Sequence, residues 1–209
     1  MRVRVDLHVH SVLSACCSRE NTVVNIVNMS KLLGTRFLGV ADHNSCLNFP
    51  AINELCQKEG IVAVPAMEVT TAEEIHVLCL FRDFPSAKTL SDEIAAGLPE
   101  IPLDLRFYHP QCVSDSSDGV TAFLPDLLNV ACGFDLYSLE SRTNELGGLI
   151  VPAHVDKQSA SLLSVLGCVP DDIGTNCLEV SRSCPDELKR ELSKRYLILE
   201  NSDAHCLEE

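Results

Sequence analysis

Apolar and polar positions change period repeatedly along the chain. Residues 2–7 alternate charged residues with Val and Leu, the period-two pattern of a half-buried strand. Residues 21–33 then set apolar Val23, Val24, Ile26, Val27, Met29, Leu32 and Leu33 in a helical stretch, with Asn21-Thr22 as cap and Gly34 as stop. A short apolar strand over 37–41 ends at Asp42-His43-Asn44, and a helix over 50–58 ends at Gly60. The next strand, 61–67, ends at Glu68, and 75–81 is another apolar run. Further along, a strand over 149–153 ends at His154, helices are predicted near 159–166 and 185–194, and a strand over 177–180 lies between them. A last strand, 196–200, runs into Asn201-Ser202-Asp203-Ala204-His205.

The rhythm breaks once. Residues 85–146 open with a helical stretch to Ala96, and two short strands then flank the turn-forming Ser114 to Gly119 as a hairpin. A helix over 136–146 closes the stretch at Gly147-Gly148. We read 85–146 as an insertion covering the active face of a single domain spanning 1–209. Strands alternating with helices of this length predict parallel β/α units, about seven of them, which favours a closed barrel over an open sheet.

Composition narrows the class. With 209 residues, 46% of them hydrophobic, and no long apolar run, the chain predicts one globular domain without a membrane span. The amino terminus lacks the apolar segment of a signal peptide, so the expected compartment is the cytoplasm and no membrane partner is expected. The eleven cysteines form no C-x-x-C pair. Cys56, Cys79, Cys132, Cys168 and Cys177 sit among apolar residues and read as small buried hydrophobes, whereas Cys16, Cys46 and Cys206 lie near histidines. The net charge of −14 repels a phosphate backbone, so the expected partner is a small phosphorylated substrate, with no extended nucleic acid.

Candidate chemistry gathers at strand ends. His8 and His10 are two apart in a strand, so they project from one face about 6–7 Å apart and can hold one transition metal. A bare H-x-H is equally two polar residues at a strand end, and the rest of the chain decides between the readings. Asp42, His43, Glu68, His154, Asp203 and His205 also fall at or just past strand carboxyl ends, which in an α/β barrel share the functional face. His76 is an exception at the start of its strand, and His109 lies outside the pattern.

Six segments together, Asp6-Leu7-His8-Val9-His10-Ser11, Ala41-Asp42-His43-Asn44, Glu68-Val69-Thr70, His76, Pro152-Ala153-His154 and Ser202-Asp203-Ala204-His205, resemble the polymerase and histidinol phosphatase (PHP) domain family. They occur in that family's order from residue 6 to 205. The resemblance implies a distorted seven-stranded, TIM-like β/α barrel and a metal-dependent phosphoesterase carrying two or three divalent ions (Zn, Mn or Fe). It implies that His8, His10 and Asp203 hold a first ion, that Glu68 bridges to a second completed by His76 and His154, and that His43 and His205 belong to a third. Where family members place an Asp or His for the third ion, this chain has Ala15 and Cys16; Ala15 cannot coordinate, and Cys16 is either a thiolate ligand that favours zinc or iron or a buried thiol beside a two-ion site.

A two-ion centre of this kind would acidify a water and offset charge on a phosphate, with Glu68 and Asp203 as its catalytic carboxylates. Asp6 and Asp42 would orient His8 or His43 through the second ring nitrogen, or else simply cap strand ends. Arg19, Lys157 and Arg182 lie on loops of the same face as candidate phosphate-binding cations. Three rival readings stay open: a metal-binding regulatory module with reduced catalysis, suggested by Ala15; an amidohydrolase, disfavoured because no Lys ends a middle strand; and, by the family resemblance, a polymerase-associated exonuclease domain, disfavoured by the acidic charge and the length of the chain. The sequence stops at Glu209, where a β/α barrel normally adds a helix, so either the barrel closes differently or the chain is part of a longer one.

Overall fold

The structure, a computed structural model, describes residues 3–209. Arg2, counted above in the first strand, lies outside the described residues. The first half of the chain forms β1 (Arg4–Val9), α1 (Val23–Leu32), β2 (Thr35–Val40), α2 (Phe49–Glu59), β3 (Val62–Thr70), β4 (His76–Leu80) and α3 (Phe84–Gly97). The second half forms β5 (Gln111–Ser114), β6 (Val120–Leu124), α4 (Leu136–Glu145), β7 (Leu149–Pro152), α5 (Leu162–Leu166), β8 (Cys177–Glu179), α6 (Asp186–Leu192) and β9 (Leu197–Leu199).

Local chemistry sets these limits. Thr22 Oγ1 caps α1 by accepting from Asn25 N at 3.2 Å, and Gly34 leaves the helix at φ +72°. Asp83 caps α3 by accepting from Ser86 N at 2.9 Å. Gly39 is required by close packing of β2 on β1, because a Cβ there would lie 2.7 Å from Leu7 O and 2.9 Å from Leu7 Cα.

The fold is α/β, with a curled five-stranded sheet in the order β1-β2-β3-β4-β7 and two further pairs, β5-β6 and β8-β9. The seven-stranded, wholly parallel barrel expected from the sequence is not what the ladders form. β4 runs antiparallel to both β3 and β7. The physical reason is length: only residues 71–75 separate β3 from β4, too few for the crossover that a parallel neighbour needs. Rather than by ladders, the pair β8-β9 joins its neighbours through isolated bonds: Val155 N donates to Glu179 O at 2.9 Å on one side, and on the other His10 N donates to Ala204 O at 3.0 Å and Asp203 N to His8 O at 2.8 Å.

The reversal of β4 explains His76. The first residue of an antiparallel strand lies at the same end as the last residues of its partner, and His76 pairs with Thr70 at the end of β3. What the sequence presents as an exception therefore stands beside Glu68.

Packing follows the same plan. Ala41, Ala66, Leu78, Val151, Ala153 and Cys177 meet inside the curl. Val23, Ile26, Val27 and Ile52 from α1 and α2 pack outside on Leu38 and Val40, and α3 and α4 contribute Leu90, Ile94, Leu136 and Leu139 to a third cluster. Cys56, Cys79, Cys132 and Cys177 are buried as expected, but Cys168 is exposed in the turn after α5, where its apolar neighbours in sequence leave the core. Among the described residues, no helix is long and apolar enough to cross a membrane.

Candidate metal centre

Glu68, 1% exposed, is the hub of the strand ends. Its Oε1 lies 2.9 Å from His76 Nδ1, 3.1 Å from His154 Nε2 and 3.4 Å from His8 Nε2. Its Oε2 lies 3.0 Å from His43 Nδ1 and 3.3 Å from His10 Nε2. Asp203 Oδ1 adds a second carboxylate 3.3 Å from both His8 Nε2 and His10 Nε2.

The outer hydrogen bonds fix which ring nitrogens are bare. His8 Nδ1 donates to Glu179, 3.0 and 3.1 Å from its two oxygens, which leaves Nε2 as a lone pair in the neutral ring. Ser14 Oγ donates to Asp42 Oδ1 at 2.7 Å and therefore accepts from His10 Nδ1 at 3.1 Å, which leaves His10 Nε2 bare too. These two nitrogens face each other at 3.1 Å, with both carboxylates beside them. Asp203 Oδ1, His43 Nδ1 and His154 Nδ1 are buried with no hydrogen-bond partner. So many converging lone pairs repel unless cations lie among them, and the donor set of imidazoles and carboxylates suits divalent zinc, manganese or iron.

Without metal, protons must carry the balancing charge. Burial pulls the His8 imidazole down, but Glu179 and Glu68 outweigh it and hold it well above its ordinary value. His43 follows the same pattern, with burial opposed by Glu68 and then Cys16, and is pushed up to about 10. Burial pushes the Glu68 carboxyl up, yet His76, His8 and His43 hold it well below the usual carboxylate range.

Backbone strain accompanies three residues of this face. Asn44, His154 and Asp203 adopt φ of 51°, 31° and 52°, a region that non-glycine residues rarely enter. Each is held by specific bonds: Asn44 N to Glu68 O at 2.8 Å, His154 N to Glu179 Oε2 at 2.9 Å, and Asp203 N to His8 O at 2.8 Å.

The other sequence-derived positions fall as follows. Cys16 Sγ lies 3.3 Å from His43 Nε2. A cleft is lined by Cys16, His43, Glu68, His76, His154, Lys157, Asp203 and His205, so the structure brings these together. Lys157 Nζ pairs with Asp203 Oδ2. Arg182 lines an adjoining cleft with Lys157 and donates to Glu209 O. Arg19 is exposed and is not among the residues lining either cleft. Asp6 does not touch the His8 ring; it accepts from Ser202 N at 3.1 Å and so steadies the Asp203 loop. Asp42 acts on His10 through Ser14 rather than directly on His43.

Sequence reasoning missed Glu179, the partner of His8, which also accepts from Asn201 Nδ2 at 2.7 Å. The signal was present, since Glu179 ends β8, the position that Asp42 and Glu68 hold at or just past the ends of their strands. Ser14, whose role needs a loop folded back on Asp42, carried no such signal.

No family model matches the chain. An uncharacterized protein of Methanocaldococcus jannaschii is 26% identical over 172 residues, which are 82% of this chain and 17% of that protein. The lesion-specific endonuclease Q of Pyrococcus furiosus superposes with a TM-score of 0.67 at 21% identity, over 99% of this chain and 49% of that one. A complex of endonuclease Q with a 27-mer duplex bearing an abasic lesion at the active site gives 0.68 at 22% identity, over 99% and 50%. A metal-dependent phosphoesterase candidate from Bifidobacterium adolescentis and an amidohydrolase from Chromobacterium violaceum each give 0.67 at 17% identity, over 98% of this chain and 88% of theirs. The chain thus spans about half of the endonuclease Q structures and far less of the M. jannaschii protein.

One expectation falls here. Extended nucleic acid was excluded on net charge, yet a protein of this fold holds a DNA duplex at its active site. Net charge sums the whole surface, whereas a duplex meets one patch, and divalent ions alter the charge of the patch that matters. At these identities the likeness is one of fold, and the chain has a fold shared by solved endonuclease, phosphoesterase and amidohydrolase structures.

Proposed function

We propose that the chain hydrolyses phosphoester bonds with divalent ions held on either side of Glu68. The observation that carries this reading is the buried Glu68 carboxylate with five imidazoles 2.9–3.4 Å from its two oxygens. His8, His10 and Asp203 would hold one ion and His76 and His154 the other, with Glu68 shared. Bound there, zinc, manganese or iron would supply Lewis acidity, acidifying a water and offsetting charge on the phosphate.

The chain's own residues prepare that chemistry. Glu179 and the Asp42–Ser14 pair hold the His8 and His10 rings with their Nε2 lone pairs inward. Lys157, at the junction of the two clefts, would bind a phosphate oxygen once its Asp203 partner turns to an ion. Arg182 would reach the same substrate from the adjoining cleft. Residues 85–146 would cover this face: Asn129 lines the cleft, and Asn44 Nδ2 donates to the carbonyls of Leu128 and Val130 at 2.7 and 2.8 Å.

The fold likeness to endonuclease Q, which runs through 99% of this chain, favours a narrower second reading in which the bond lies in a nucleic acid. The test is a turnover screen of stripped and zinc-, manganese- or iron-reloaded protein on phosphomonoesters, phosphodiesters and an abasic-site duplex. Metal-dependent release from any of these is expected, and the class cleaved decides between the broad and narrow readings. Tight ion binding without turnover on every class would leave a metal-binding module and overturn the proposal.

A further inference from the structure

The hairpin of β5 and β6 leaves one strand edge open. Cys112 N donates to Val12 O at 2.9 Å, and Cys112 O accepts from Asn48 Nδ2 at 3.1 Å, so both backbone groups of Cys112 point away from β6. The cross-strand pair Cys112–Phe123 is therefore a non-hydrogen-bonded one, and Phe123 N–H and C=O face outward from the hairpin. Among the described residues, neither group makes a backbone bond beyond the hairpin. The strand Val120-Thr121-Ala122-Phe123-Leu124 carries no charged side chain, and Phe123 is 62% exposed. A neutral, apolar edge of this kind is a template for another strand.

The edge is firmly mounted and bounded at both ends. Ser114 N donates to Asn48 Oδ1 at 2.9 Å, just before α2. Asp118, in the hairpin turn, accepts from Thr22 Oγ1 at 2.7 Å and from Val24 N at 3.1 Å, at the start of α1. Past Leu124 the same edge is taken by residues 101–103, where Leu103 N donates to Pro125 O and Leu127 N to Ile101 O, both at 2.8 Å. Ile101, Leu105 and Phe107 are exposed in that segment and the turn after it, and they extend the apolar surface of β6.

We propose that β6 pairs antiparallel with β6 of a second copy of this chain, about a two-fold axis at Ala122. In that register Thr121 exchanges backbone bonds with the partner's Phe123, and Ala122 meets the partner's Ala122 across a non-hydrogen-bonded pair. Antiparallel pairing about a two-fold axis is self-complementary, so one strand supplies both halves of the interface. Charge favours this meeting point, because copies that each carry −14 repel over most of their surface but bring no charged side chain together along β6. Area agrees: Ile101, Leu105, Phe107, Val120 and Phe123 expose on the order of 600 Å² per copy, so two copies approach the ~1,200 Å² total at which specific interfaces begin. The outer edge of β5 is already occupied by Val12 and Asn48, so association closes at two copies instead of running on as a fibre.

Sedimentation of the full-length chain across a wide concentration range tests this, with Ala122→Lys and Ala122→Glu measured alone and as an equimolar mixture. Ala122 is exposed, so either substitution reaches solvent in the single copy, and circular dichroism checks that each variant is folded. The parent should sediment at twice the chain mass. Each variant alone should lose roughly tenfold in dimer affinity from like charges placed opposite each other, and the mixture should regain it through opposite charges. Hydrogen exchange should show the Thr121 and Phe123 amides protected in concentrated parent and open on dilution. A parent that stays a single copy throughout overturns the proposal, as does a dimer that both variants leave unchanged. A mixture no tighter than either variant alone overturns the register at Ala122.

Discussion

Replacing Glu179 by Gln probes the layer that aims His8. The carboxylate is 2% exposed and accepts from three donors: His8 Nδ1 at 3.0 Å, His154 N at 2.9 Å and Asn201 Nδ2 at 2.7 Å. Gln keeps one carbonyl oxygen and swaps the other for an NH2, so at least one of those donors must face a donor. A buried donor left unmade costs about 1–3 kcal/mol. The lost charge also weakens the hold on the His8 Nδ1 proton, and removing such an outer partner typically lowers metal affinity roughly 10–100-fold, about 1.4–2.8 kcal/mol. Competition against a chromophoric chelator measures the affinity, and urea unfolding of the stripped protein measures the fold. Both should fall in Glu179→Gln. Unchanged affinity with reduced stability would refute the reasoning, because Glu179 would then pack the loop without setting the His8 tautomer.

Three further outcomes follow from the same geometry. Gly39→Ala should destabilise the fold by about 1–3 kcal/mol through overpacking against Leu7, measured as a lower urea midpoint with unchanged slope. In stripped protein, His43 has a folded value near 10 against 6.5 for the ordinary imidazole, so its contribution to stability is full below 6.5 and lost as pH rises toward 10. The Tm of stripped protein should therefore fall between pH 7 and 10. Over the same range metal affinity should rise, since His8 and His43 must shed protons on loading, and calorimetry in buffers of different ionisation enthalpy should register proton release near pH 7.

The chain's pattern revealed the α/β alternation and nearly every polar group of the centre, because apolar strands followed by His, Asp or Glu mark one end of a sheet. It did not reveal strand direction. Residues 71–75 look like any loop until their length is weighed against a crossover, and only the antiparallel β4 turns His76 from an exception into a neighbour of Glu68. Groups that act through another side chain were harder still. Glu179 shares the strand-end position of the other acids, but its partner, His8, is 171 residues away, and no local spacing links them. Ser14 becomes meaningful only when the loop after β1 folds onto Asp42. Charge misled for a different reason, since a sum over all residues says nothing about one cleft.

The central claim is that Glu68 is shared by two ions. Anomalous diffraction from a zinc- or manganese-loaded crystal tests it most directly, at the absorption edge of the metal used. Two peaks flanking the Glu68 carboxylate are expected, one beside His8, His10 and Asp203 and the other beside His76 and His154. No peak at Glu68, or a single ion bound to one side of it, would contradict the shared centre.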